Sequence, residues 1–278
     1  MSGSTNRLGL EMLTLLGINP VEQVRIASQL GCSGVSLGIA ALDLKSFGIA
    51  DLQLYEHWSL AEEPALRREL TAALADTGVR VTLGEGFMIT PAYDIREREA
   101  HLDIMAQLGT ERINAISVEH DLARTHDQFA MLCDMVIARG MRFIVEFAPM
   151  NPVSTLTMAL DASEHVGPDR CGVMIDTMHL FRSGGTLEDL CALPPGRLQY
   201  AQLCDVPLKS PGTPYKEEAV LGRLAPGEGE LPLLDVLALL PEDLDVGVEV
   251  PDLKALRSGI TPYDHAAHVI EAARALGY

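Results

Sequence analysis

Basic side chains are scarce: the 278-residue chain carries 21 Lys and Arg against 39 Asp and Glu, for a formal charge of −18 at pH 7. This excludes a nucleic-acid binder that works through its overall field, because phosphate affinity is built mainly from clustered Lys and Arg. No stretch reaches the ~18 uninterrupted apolar residues of a membrane span, and the segment from Met1 to Arg7 lacks the basic-then-apolar order of a signal peptide. Paired cysteines are also missing. Cys32, Cys133, Cys171, Cys191 and Cys204 are odd in number and form no CxxC pair, and several sit in apolar runs where a free thiol behaves as a small hydrophobe. These absences lead us to expect a cytoplasmic protein in a reducing compartment, with neither a nucleic acid nor a membrane as partner.

What is present is a core-forming composition, 47% hydrophobic and 22% charged, far from the signature of disorder. Short β-rich runs alternate with stretches of helical spacing in units of roughly 30 residues. Eight strands are predicted: Leu8–Leu13, Gly34–Leu37, Val79–Gly84, Arg112–Val118, Arg142–Phe147, Cys171–Ile175, Leu198–Leu203 and Asp245–Val250. The helical patterns between them are Pro20–Leu30, Glu63–Thr77, Asp94–Leu108, His126–Arg139, Thr155–Val166, Thr186–Leu193, Leu231–Leu240 and Pro262–Leu276. Gly31, Gly78, Gly109 and Gly140 follow four of these as candidate left-handed caps. Strict alternation implies a parallel sheet, and eight units imply α/β architecture closed into a single (β/α)8 TIM barrel over 1–278. An open doubly wound sheet would want a glycine-rich phosphate loop after its first strand, and Leu13-Thr14-Leu15-Leu16-Gly17 is not one. Two connections are long, Ile39–Glu62 with His57 and Trp58, and Val206–Glu230, rich in Pro and Gly. The second is expected to close over substrate.

Function in a barrel sits at the C-terminal ends of strands. Four polar residues stand there in succession: Glu146 on strand five, Asp176 on strand six, Gln202 on strand seven and Glu249 on strand eight. Neighbouring strands lie just under 5 Å apart, so these oxygens could converge. Gathered carboxylates raise one another's pKa unless a cation sits between them. The all-oxygen set suits Mn2+ or Mg2+, with Co2+ or Zn2+ as further candidates. Glu85 and His120 end strands three and four and either line the pocket or satisfy backbone groups. His101, His126, His165, His265 and His268 fall on helical stretches and read as surface or packing residues.

The runs Val145-Glu146-Phe147, Ile175-Asp176-Thr177-Met178-His179, Gln202-Leu203-Cys204-Asp205, Arg223-Leu224-Ala225-Pro226-Gly227-Glu228-Gly229 and Val248-Glu249-Val250 together resemble the xylose isomerase-like TIM barrel superfamily. That group includes ketose 3-epimerases, hydroxypyruvate isomerases, inosose dehydratases, 3-dehydroshikimate dehydratases and endonuclease IV. The resemblance implies that Glu146, Asp176 and Glu249 bind a metal, and that the two glutamates form the acid/base pair. It implies that His179 and Arg223 reach the substrate. Asp205 matches the acidic residue of the family's His-x-x-Asp, a position that equally suits a loop cap. Gln202 departs from the pattern, standing where most relatives have a histidine ligand.

The expected activity is therefore a metal-dependent isomerase or epimerase of a small polyhydroxylated carbonyl compound, acting through a metal-stabilised enediolate. A metal-dependent dehydratase of a keto sugar or cyclic ketone is the alternative, and a ligand-binding barrel with a degraded metal site is the alternative of another class. Homo-oligomerisation stays open. Since imidazole binds borderline cations better than an amide oxygen does, Gln202→His is expected to move metal preference toward Zn2+ or Co2+. Metal analysis of the two proteins after competitive loading measures this, and an unchanged profile would remove Gln202 from the ligand set.

Overall fold

A computed structural model describes residues 7–42 and 55–277. The strands are β1 (Leu8–Leu10), β2 (Gly34–Leu37), β3 (Arg80–Ile89), β4 (Arg112–Ser117), β5 (Arg142–Val145), β6 (Cys171–Asp176), β7 (Leu198–Leu203) and β8 (Val246–Val248). All pair in parallel and in sequence order, β8 returning to β1 to close the barrel. The helices are α1 (Pro20–Gln29), α2 (Pro64–Thr77), α3 (Glu99–Gln107), α4 (Leu122–Ile137), α5 (Leu156–Val166), α6 (Thr177–Arg182), α7 (Leu187–Cys191), α8 (Tyr215–Leu221), α9 (Leu233–Leu239), α10 (Leu253–Arg257) and α11 (Pro262–Ala275). Among the described residues no helix is long and apolar enough to cross a membrane.

The eight strands fall where the apolar runs predicted them. Gly31, Gly78, Gly109 and Gly140 all take positive φ, ending helices by the left-handed route open to a residue without Cβ. Helix α4 begins a turn earlier than its periodicity suggested, because Asp121 accepts the backbone N–H groups of Ala123 and Arg124 as an N-cap. Within 206–230 the chain is more regular than its Pro and Gly content implied. It contains α8, and strand-like bridges tie Asp205 to Leu224 and Gly222 to Asp252. Trp58 is buried and donates its indole N–H to the Gly17 carbonyl, so it packs as a loop anchor, while His57 is exposed. The remainder of the long connection after β2, 43–54, lies outside the described residues.

Because side chains alternate across a strand, the barrel interior can be read in layers. Phe143, Val145, Val173 and Ile175 belong to the main core between sheet and helices, whereas Ile144 and Met174 join Leu83 and Tyr200 in a separate buried cluster. That cluster is the barrel's inside. Two residues further along each strand, on the same face, come Glu146, Asp176 and Gln202. The polar groups thus stand one layer above an apolar floor.

Beneath the floor, at the N-terminal ends of the strands, Asp245 is 2% exposed and pairs with Arg112 Nη2 at 2.9 Å and Arg80 Nη2 at 2.8 Å. Breaking a buried pair from one side leaves an uncompensated charge. Asp245→Ala is expected to lower unfolding stability by about 3–5 kcal/mol while leaving the distant mouth unaltered. Urea denaturation checks the first part, and retained ligand binding the second.

Candidate active site at the barrel mouth

The C-terminal mouth opens into a cavity of about 420 Å³ whose polar lining includes Glu85, Asn114, Glu146, His179, Arg223 and Glu249. Apolar side chains such as Met12, Phe87 and Met150 complete its walls. Asp176, Gln202 and Glu11 lie beneath this lining, each almost wholly buried.

Arg223 is a buried cation of the site. It is 2% exposed, and its Nη1 lies 2.5 Å from Asp176 Oδ2 and 2.8 Å from Glu249 Oε2. Its Nε donates to the Ala219 carbonyl, which fixes the guanidinium to α8. Burial alone would raise the Asp176 pKa, but Arg223 and then His179 hold the carboxyl below its ordinary value. The other Asp176 oxygen caps α6 by accepting the His179 backbone N–H at 2.8 Å.

Glu146 follows β5 and faces the cavity, where Asn114 Nδ2 donates to its Oε2 at 2.5 Å. Burial, and then the charge of Asp176, push its pKa up to about 8, against the opposing pull of Arg223 and Asn114. His179 stands beside it, Nε2 to Glu146 Oε1 at 3.8 Å. Burial takes the His179 pKa down to about 4, so the ring is neutral. Its Nδ1 lies 2.6 Å from the Tyr215 hydroxyl, which burial keeps protonated, and 3.5 Å from Asp176 Oδ1. The ring's Nε2 faces Glu146 and the cavity.

Glu85 reaches the mouth through an irregularity in β3. Pairing with β4 passes from Gly84–Ile113 to Phe87–Ala115, one extra residue on β3, and Gly86 takes φ +86°; bulges of this kind re-aim a side chain. Burial and then the charges of Glu11 and Glu249 raise the Glu85 pKa well above normal. Glu11, immediately after β1, was not anticipated as a site residue. It is fully buried, accepts from the Tyr200 hydroxyl at 2.6 Å and from Gln202 Nε2 at 3.0 Å, and burial raises its pKa. The signal was in the sequence: Glu11 interrupts Leu8-Gly9-Leu10 and Met12-Leu13 as Glu146 interrupts its own apolar run. Tyr215, Asn114 and His101 were missed as well. His101, expected to be a surface or packing residue, lines the cavity.

Of the remaining expected residues, Gln202 places Nε2 3.0 Å from both Glu11 Oε2 and Glu249 Oε1, and its Oε1 is buried without a hydrogen-bond partner. Asp205 is buried below the mouth, its carboxylate accepting backbone N–H groups of Val206, Gly227 and Leu231. His120 is exposed on the turn before α4 and is not part of the cavity lining. The donor chemistry of the mouth, carboxylates of raised pKa with unpartnered oxygens on Glu85 and Gln202, fits a hard divalent cation.

Comparison with solved structures finds the same fold at low identity. The IolI protein with a bound zinc atom matches at 16% identity and TM-score 0.77, covering 97% of each chain. AsbF of Bacillus anthracis, described as a probable 3-DHS dehydratase, matches at 14% and 0.70, covering 96% of this chain and 98% of that one. D-psicose 3-epimerase in the presence of D-fructose matches at 14% and 0.68, covering 96% and 97%. The chain also spans 42% of the length of a xylose isomerase-like TIM barrel/4-hydroxyphenylpyruvate dioxygenase fusion protein. No curated protein sequence matches. The model of one family matches residues 24–275, nearly the whole barrel, and with the closed eight-stranded topology this shows that the chain belongs to the xylose isomerase-like TIM barrel family.

Proposed function

We propose that the protein is an isomerase or epimerase of a small polyhydroxylated carbonyl compound, a sugar or keto sugar, working by proton transfer between carboxyl groups and substrate carbon. The observation that carries this reading is Glu146, a cavity-lining carboxyl held by Asn114 with its pKa pushed up to about 8. A proton carrier works best when its pKa lies near the operating pH. Glu249, on the far side of Arg223, supplies the partner carboxyl. One of the two takes the proton from the carbon beside the carbonyl, leaving an enediolate, and the other returns a proton on the opposite face. The buried Arg223 guanidinium faces the negative charge that develops on oxygen, and His179 Nε2–H donates to a substrate oxygen. A divalent cation, Mn2+ or Mg2+ by the oxygen chemistry of the donors, would be held by the carboxylates of the mouth and would supply Lewis-acid polarisation of the carbonyl.

A second reading, dehydration, has the support of the AsbF likeness: the same enolate, on a substrate bearing a hydroxyl one carbon further on, expels water instead of being reprotonated. Turnover of candidate ketoses in D2O separates the two. Deuterium in an isomeric product supports epimerisation, whereas an unsaturated product absorbing in the ultraviolet supports dehydration and overturns the first reading. Glu146→Gln, close in shape but unable to shuttle a proton, is expected to lower kcat by at least 100-fold with circular dichroism unchanged. Retention of more than a few per cent of the rate removes Glu146 from the proton path.

The raised pKa of Glu146 also has a stability consequence. Its ordinary value is 4.5 and its value in the folded chain about 8, so between these the folded state binds the proton more tightly. Its contribution is complete below pH 4.5 and lost as pH rises through 8. In chelator-treated protein the unfolding free energy is expected to decline across that window, and Glu146→Gln should make the decline shallower; denaturant titrations at a series of pH values read the slope.

A further inference from the structure

We propose that the divalent cation is held on the β8–β1–β3 side of the mouth, by Glu249, Glu11 and Glu85 with Gln202 Oε1 as a neutral fourth donor. The sequence pattern puts it on Glu146, Asp176, Gln202 and Glu249, so two of the four donors change. The proposal rests on the reading above that the mouth takes a cation, and concerns which side chains hold it.

Charge and geometry argue for this place. Five carboxyl groups, Glu11, Glu85, Glu146, Asp176 and Glu249, share the mouth with one buried guanidinium. Arg223 is committed to the β6 side, where it bridges Asp176 and one oxygen of Glu249. Each Asp176 oxygen already accepts a hydrogen bond, one from Arg223 and the other from the His179 N–H, and its charge is paired with the guanidinium. On the opposite side, Glu85 faces the like charges of Glu11 and Glu249. There, one oxygen from each of Glu11, Glu85 and Glu249 lies within 4.8 Å of the other two. Oxygens bound 2.0–2.6 Å from one ion stand about 3–5 Å apart, so this spread suits ligands of a single cation.

Gln202 provides an independent sign. The residue is 1% exposed and its amide nitrogen touches Glu11 and Glu249, yet its carbonyl oxygen has no donor within reach. Turning the amide over exchanges the two atoms and lays that oxygen against the carboxyl groups of Glu11 and Glu249, where a cation between them gives it a partner. Glu85 Oε1 is likewise buried and unpartnered. The barrel is also shaped for Glu11 to reach this point. A Cβ added to Gly247 would lie 1.7 Å from Glu11 Oε1, so only glycine at that position of β8 admits the carboxylate. Tyr200 then orients it from below through a 2.6 Å hydrogen bond, the kind of outer contact that fixes a metal ligand.

The test is a Mn2+ titration of the chelator-treated full chain, followed by the electron paramagnetic resonance of free Mn2+. We expect one Mn2+ per chain, an affinity lowered 10-fold or more in Glu85→Gln and Glu11→Gln, and a change of less than 3-fold in Glu146→Gln. Should the Glu11 variant fail to fold, anomalous diffraction from Mn2+-soaked wild-type crystals reads the position directly: a peak ligated by Glu11, Glu85 and Glu249 is the expected result. Loss of affinity in Glu146→Gln with wild-type affinity in Glu85→Gln, or a peak between Glu146 and Asp176, overturns this placement while leaving a cation-dependent reaction intact. Failure of the wild type to bind Mn2+ at millimolar concentration overturns both, and identifies the cluster as carboxyl groups that share protons.

Discussion

The mouth of this barrel is organised by one buried guanidinium. Arg223 joins Asp176 at the end of β6, the Glu249 side chain beyond β8 and the Ala219 carbonyl of α8. None of these charges is tolerable alone at that depth, since an unpartnered buried ion costs several kcal/mol. With the pair made, Asp176 stays ionised and caps α6, which positions the His179 ring above it. The same contact seats α8, so that the Tyr215 hydroxyl reaches Nδ1 of that ring. Glu146, on the other side of the cavity, feels Asp176 more than it feels Arg223 and is left poised to hold a proton.

Much of this was legible in the sequence, because strands report their faces by alternation. The apolar pattern located all eight strands, and the i+2 spacing from Ile144, Met174 and Tyr200 to Glu146, Asp176 and Gln202 is the barrel's inner face written into the chain. The positive-φ glycines were legible for an equally local reason. Glu11 was not recognised because the run Leu8–Leu13 reads as one strand, which hides the turn at Met12 that makes Glu11 a strand-end residue. The bulge that aims Glu85 depends on how β3 pairs with β4, information that no single segment contains. Helix α8 was hidden by the Pro and Gly around it, and with it Tyr215. His101 was misplaced because β3 continues to Ile89 and brings the following helix up to the level of the mouth.

Fold and chemistry separate cleanly in this molecule. Closure of the barrel, its glycine-ended helices and the Asp245 ion pairs beneath the floor are shared requirements of stability and say nothing about substrate. The substitution of an amide at position 202, the reach of Glu11 over Gly247 and the bulge before Phe87 are local departures. Each acts on the same few cubic ångströms around Glu249.

The apolar floor of Leu83, Ile144, Met174 and Tyr200 makes the site a blind well. Water and protons have no route through the axis of the barrel, so each exchange with bulk solvent takes place past whatever occupies the cavity. A bound ligand would therefore stand between the buried carboxyl groups and solvent, and in the proposed reaction a proton lifted from its carbon would be held beside it.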